Sequence, residues 1–376
     1  MITISSCLLL AAATVMVPAS ASPAPHTQQE TAKSTPLSPA EISRLQGRAE
    51  AGDAGAEAAL GHAYRDGKGL PQNRALAAKW FRRAADQGDA DAEDSLGIMY
   101  GVGEGVERDK EEAVRWYHKA AKQGNAKAMF NLGASYYNGD GVATDDVTSY
   151  VWFLLAQEAG NPAADEAVQR ALSEKSVSPS AACVKVAQMY ETGAELPKDS
   201  NQALKWYRKA ADAGNPGADV KVTSLLLNSG HSLTPEEYTE ARQRCEDAAN
   251  RHFSPGAYCL ALLYERGIGV TRDPIERVKW LGRAAELGNS RAILELGEAY
   301  WKGVGVKPDL VAAYMWIWLA GNAKMPRAEQ QDEQEIRKEL SAKKVGEAKQ
   351  KAIDWARRHQ PVGLRQHQSD SSPPPQ

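Results

Sequence analysis

A spacing of 36 residues runs through this chain and limits what it can fold into more than any other feature. Gly52, Gly88 and Gly124 stand 36 residues apart, as do Gly61, Gly97 and Gly133. A tyrosine is followed 16 residues later by a tryptophan in every clear copy, from Tyr100 and Trp116 to Tyr190 and Trp206, Tyr264 and Trp280, and Tyr300 and Trp316. The frame slips by 18 residues after Gly160-Asn161-Pro162, which reads as one extra helix. A fixed period of this length means stacked units, each unable to bury its own apolar face alone.

Within one period the pattern reads as two helices. Ala92, Leu96, Gly97 and Tyr100 line one apolar stripe. Gly97, in mid-helix, costs about 1 kcal/mol against alanine, which points to a neighbouring helix packed close. Gly103 and Gly105 then suit a left-handed helix stop. Asp109 with Glu112 predicts a capping box opening the second helix, and Asp273 is followed by Pro274 at the first helical position and Glu276 at the third. Ala113, Trp116, Tyr117 and Ala120 form the second stripe. The glycines of YGVGEGVERD (100–109) follow no strand, and the only Gly-Lys, Gly67-Lys68, lacks the upstream glycine of a phosphate-binding loop, so the stretch is read as a turn.

The full pattern, A-x-x-G-(N/D)-x-x-A-x-x-x-L-G-x-x-Y-x-x-G-x-G-V-x-x-D-x-x-x-A-x-x-W-(Y/F)-x-x-A, resembles the Sel1-like repeat, a relative of the tetratricopeptide repeat. Residues 85–120 and 285–320 match it nearly throughout, whereas 211–248 lose the Tyr, the Gly pair and the Trp. The resemblance implies an all-α fold, a right-handed α-solenoid of helix-turn-helix repeats of about 36 residues, that works as an adaptor. YVWFLLAQEAG (150–160) and YMWIWLAG (314–321) resemble terminal-repeat variants, and Ser341–His359 reads as a capping helix. The apolar run Leu310–Ala320 is expected to be buried in that terminal packing.

The expected organisation is a signal peptide over 1–21, a flexible linker over 22–37, a first array with its extra helix over 38–174, a second array over 175–320, capping helices over 321–359 and a disordered tail over 360–376. The apolar run Cys7–Val17 is too short to span a bilayer, and Ala19-Ser20-Ala21 is a small-x-small cleavage pattern. The mature chain is therefore expected to be periplasmic or secreted, without a transmembrane segment, and monomeric. A net charge of −3 gives no broad basic footprint for nucleic acid. Cys183, Cys245 and Cys259 remain after the signal; they are taken as three small core residues, with a Cys245–Cys259 bridge as the alternative.

No metal or cofactor motif emerges: the seven histidines lack metal spacing, and Ser341-Ala-Lys343-Lys344 offers a Ser-x-x-Lys without partner motifs. Catalysis is not expected. By analogy with tetratricopeptide solenoids, the exposed side of each first helix faces a concave groove for a protein partner. Those positions are His62, Arg65 and Asp66 in the first repeat, Phe130, Tyr137 and Asn138 in the third, and Tyr258, Trp301 and Lys302 in later copies. Aromatics outside the core stripe point either to a recognition surface or to packing between repeats. The runner-up reading is a glycan binder, for peptidoglycan or exopolysaccharide, with Phe130, Tyr137, Tyr258 and Trp301 stacking on sugar faces. The resemblance also implies a remote third, a β-lactam hydrolase, although its cysteine-rich relatives carry paired cysteines in each repeat and this chain does not.

Overall fold

The computed structural model describes residues 37–230, 232–321 and 327–359. The predicted signal peptide, nearly all of the linker and the C-terminal tail lie outside the described residues. What is described is helical, with 18 helices, in two units that meet between Asp199 and Ser200. Each is a stack of antiparallel helix pairs, the all-α solenoid expected from the period.

In the first unit α1 (Pro39–Glu50) precedes three regular pairs: α2 (Ala54–Asp66) with α3 (Arg74–Asp86), α4 (Ala90–Val102) with α5 (Lys110–Lys122), and α6 (Ala126–Asn138) with α7 (Asp146–Glu158). The frame slip is α8 (Ala164–Glu174), one additional helix against α7, and α9 (Pro179–Thr192) follows. The second unit holds α10 (Ser200–Asp212), then α11 (Pro216–Leu227) with α12 (Pro235–Asn250), α13 (Ser254–Arg266) with α14 (Pro274–Glu286), and α15 (Ser290–Lys302) with α16 (Leu310–Gly321), closed by α17 (Arg327–Glu339) and α18 (Ala342–His359).

The mid-helix glycines set the closeness of each pair. A Cβ on Gly97 would stand 2.6 Å from the Tyr117 ring, and one on Gly61 would stand 2.6 Å from Phe81. Gly133 has the same relation to Phe153, and Gly297 to Ile317. These aromatic side chains are buried, Phe81 completely, so they have nowhere to retreat. The loop glycines carry two different duties. Gly103 ends α4 in the left-handed region at φ 83° and donates to the Met99 carbonyl. Gly105, at φ 74°, lies against the Arg74 carbonyl, where a Cβ would overlap the first turn of the preceding pair's second helix. Gly141 meets Lys110 and Gly305 meets Pro274 in the same way, so the second glycine sets the distance between successive repeats.

The capping box expected at Asp109 forms only by half. Asp109 accepts the Glu112 amide at 2.9 Å, but its own N–H already donates to the Tyr100 carbonyl at 2.9 Å. Glu112 has no donor left at the cap, and its carboxylate takes Arg115 and the Trp116 indole N–H, each at 2.7 Å. Complete boxes occur at Ser38–Glu41 and Thr234–Glu237. The G-(N/D) step of the motif proves to be the first helix's cap: Asp53, Asp89 and Asn125 each accept an amide from the first turn.

The degenerate stretch also pairs, by other means. Asp219, fully buried on α11, accepts Arg251 at 2.8 Å and Arg244 at 3.4 Å. Arg244 also reaches Asp212 at 2.7 Å, and Glu240 holds Arg208 at 2.8 Å. The Thr223 hydroxyl donates to the Ala241 carbonyl at 3.0 Å. Reading Cys245 and Cys259 as unbridged core residues is wrong: they form a disulfide across the α12–α13 turn, their Cα atoms 5.8 Å apart. The turn places both in the core, where Cys245 is fully buried. Cys183 is half-buried and apart from this bridge.

The run Leu310–Ala320 is buried at Ala313, Tyr314, Ile317, Leu319 and Ala320 and half-buried at the rest. Ala313, Tyr314 and Ile317 pack with Ile336 of α17 and Ala348 of α18, and the Trp316 and Trp355 rings meet edge-on at 5.0 Å. Tyr314 donates to Glu333 at 3.0 Å, fastening α17 to α16.

Candidate partner-binding face

The register of 36 places residues 62, 98 and 134 at equivalent positions on α2, α4 and α6, and likewise 65, 101 and 137. His62, Arg65 and Asp66 therefore lie on one face of the first unit with Phe130, Tyr137 and Asn138. The second unit carries Tyr258 on α13, and Trp301 and Lys302 on α15.

Most of these side chains are partly used by the fold. His62 meets the Phe81 ring edge-on at 4.9 Å, and burial, with the nearby Arg65 charge, holds its imidazole pKa below the ordinary value. Arg65 lies 5.9 Å from the Phe81 centroid and bonds Asp66 at 2.8 Å. Phe130 is half-buried, 5.4 Å from the Phe153 ring. The Tyr137 hydroxyl donates to Glu174 of α8, while the Lys175 ammonium stands 5.0 Å from its ring. The Glu174 bond, then burial, raises the Tyr137 pKa. Tyr258 donates to Glu295 of the next first helix at 2.5 Å, with Arg291 5.8 Å from its ring; burial and Glu295 raise its pKa. Trp301 is half-buried against the cluster around Tyr314 and Ile317. Asp66, Asn138 and Lys302 are exposed, and Lys302 pairs with Glu298 at 2.8 Å.

The middle of the first unit's face was missed by sequence reasoning. Ile98 is 41% and Val102 51% exposed, two of the four large apolar side chains left open among the described residues. They follow Asp94 at i+4 and i+8 on α4. Asp94 is only 4% exposed and accepts the Asn131 amide at 2.9 Å. Burial pushes its carboxyl up to about 6, against the pull of Asn131 and Lys127. Adding 36 to His62 points to Ile98, but an isoleucine beside Leu96 reads as one more core residue.

Ser341 accepts the Lys344 amide at 3.4 Å and so serves as the cap of α18. Among the described residues no group of three His, Cys, Asp or Glu is placed to hold a metal, and no helix is long and apolar enough to cross a membrane.

The Sel1 repeat family profile matches residues 54–89, 90–125, 126–161, 180–215, 254–289 and 290–320, more than half of the chain. The chain belongs to the Sel1 repeat family. The two internal stretches left unmatched, 162–179 and 216–253, are the extra helix α8 and the ion-paired α11–α12.

The chain is also similar to parts of several curated proteins. A Malassezia restricta protein described as chitin synthase regulator SKT5 is 32% identical over 141 residues, covering 37% of this chain and 10% of that one. Chitin synthase regulatory factor 3 of Schizosaccharomyces pombe is 28% identical over 119 residues, covering 31% of this chain and 13% of the relative. This chain thus spans a small part of either relative's length. Among solved structures, a protective antigen of uropathogenic Escherichia coli with an SLR fold is 28% identical, covering 86% of this chain and 72% of that one, with a TM-score of 0.44. A Sel1 repeat protein from Oxalobacter formigenes is also 28% identical, covering 78% and 80%, with a TM-score of 0.38.

Proposed function

We propose that this Sel1 repeat protein is a non-catalytic scaffold that docks a protein partner on the first-helix face of its first unit, within an exported envelope or secreted complex. The observation that carries the reading is the pair Ile98 and Val102, left open between repeats whose other apolar positions are mostly buried. Relatives named as regulators fit a role exercised through binding. The aromatic rings favour a protein partner over a glycan: Lys175 lies over Tyr137 and Arg291 over Tyr258, faces a sugar would need. Export is supported by the apolar segment before Ala21 and by the Cys245–Cys259 bridge, which persists in oxidising compartments. Intact mass of the protein recovered from a periplasmic or culture fraction tests this part: a chain beginning at Ser22 is expected, and an uncut cytoplasmic chain would contradict it. The binding reading is tested by Ile98→Asp, which should abolish partner capture by the purified chain while leaving its melting temperature unchanged.

A further inference from the structure

The buried acids of this protein are not treated alike. Glu57 has Arg83 at 2.6 Å, and Asp219 has two arginines. Glu93 takes the Gln123 amide at 2.8 Å and faces the Lys119 charge on α5. Asp94 has the Asn131 amide alone, and no cation among the described residues comes within ion-pair distance of it. The titratable and charged groups around it act from further off: Arg65 on α2, Lys127 on α6, the neutral Tyr117 phenol on α5 and Asp91 on its own helix. Arg65 is already engaged by Asp66. Asn131 occupies one carboxylate oxygen, and the other accepts no hydrogen bond from the described residues. A nearly buried carboxylate with one neutral donor is electrostatically incomplete, and a cation brought to it is worth more than one brought to an exposed acid. This acid stands on the same helix face as the open Ile98 and Val102.

Resting on the docking reading above, we propose that the face takes a polypeptide segment whose Arg or Lys side chain seats against Asp94 while an apolar residue of the same segment covers Ile98 and Val102. Helix rise sets the spacing. Positions four and eight residues beyond Asp94 lie about 6 and 12 Å along α4. An extended segment advances about 3.3 Å per residue, so the basic and apolar residues are about two to four apart. Binding of this kind needs the carboxylate charged. It therefore weakens as pH falls through the Asp94 pKa of about 6.

The test is selection of random phage-displayed 12-residue peptides on the full chain at pH 7.5, followed by affinity measurement of the selected peptides on wild type, Asp94→Asn and Ile98→Asp. Enrichment of Arg or Lys two to four residues from an apolar residue is expected. Those peptides should bind Asp94→Asn about tenfold more weakly. They should weaken between pH 7.5 and 5 on wild type and not on Asp94→Asn. Peptides without a basic residue, peptides indifferent to Asp94→Asn, or no selected peptide at all would overturn the proposal. Loss on Ile98→Asp with indifference to Asp94→Asn would leave the docking face standing and remove only its charge preference. Indifference to both variants would remove the face as well.

Discussion

Gly97 in α4 and Thr223 in α11 hold the same register position in their helix pairs, yet their surroundings have little in common. At Gly97 the second helix presses a tyrosine ring into the space where a side chain would be. At Thr223 a hydroxyl bridges to the Ala241 carbonyl, and a buried aspartate with two arginines stands one turn away. The first arrangement is held by shape, and it tolerates no added atom. The second is held by a hydroxyl and buried charges, beside a covalent bridge from α12 to α13, and it should weaken when a partner is removed. A solenoid repeat can thus lose its signature residues and still pair, provided that directional contacts replace close packing.

Reducing the Cys245–Cys259 bridge should have the largest effect. Closing a loop 14 residues apart contributes about 3 kcal/mol, so a reductant should lower the unfolding transition of the second unit and leave the first unchanged. Equal shifts in both units would erase the contrast. Gly97→Leu should destabilise the first unit by about 2–3 kcal/mol through overpacking against Tyr117. A wild-type melting temperature for that variant would contradict the pairing geometry.

Asp94→Asn sharpens the comparison from the other side, because this buried acid lacks the cations that Asp219 has. Its folded pKa of about 6 lies above the ordinary aspartate value of 3.8, so folding favours the protonated form. The penalty is present above about pH 6 and disappears below the unfolded value. The variant should be more stable than wild type by up to about 3 kcal/mol at pH 7.5, with the gap closing by about pH 4. A gap independent of pH would show that the carboxyl is not desolvated. Smallest is Asp109→Ala, which removes one cap bond and should cost about 1 kcal/mol by denaturant unfolding.

The period made most of the fold legible, since Gly61, Gly97 and Gly133 mark the close approach and the Tyr-to-Trp spacing marks each helix pair. The 18-residue slip likewise gave away α8 as a single helix. What stayed hidden was long-range or double in meaning. The Asp219–Arg251 pair joins residues 32 apart with no periodic trace. Asp109 looked like half of a capping box because the sequence does not show that Tyr100 already takes its amide. The two cysteines read as core residues in the sequence because their spacing does not show that the α12–α13 turn brings them together. Of the candidate face, His62, Arg65 and Phe130 were singled out from the register, whereas Ile98 and Val102, at the positions of His62 and Asp66 one period on, were passed over. An apolar residue near the buried Leu96 and Met99 carries no mark of which side faces out.

Site-specific photo-crosslinking in living cells, with the probe at Ile98 and a control at exposed Lys79 on α3, tests the docking face most directly. A discrete protein adduct from position 98 and none from position 79 is the expected result, and its mass identifies the partner. Adducts from position 79 alone, or from neither, would contradict a protein dock on the first-helix face.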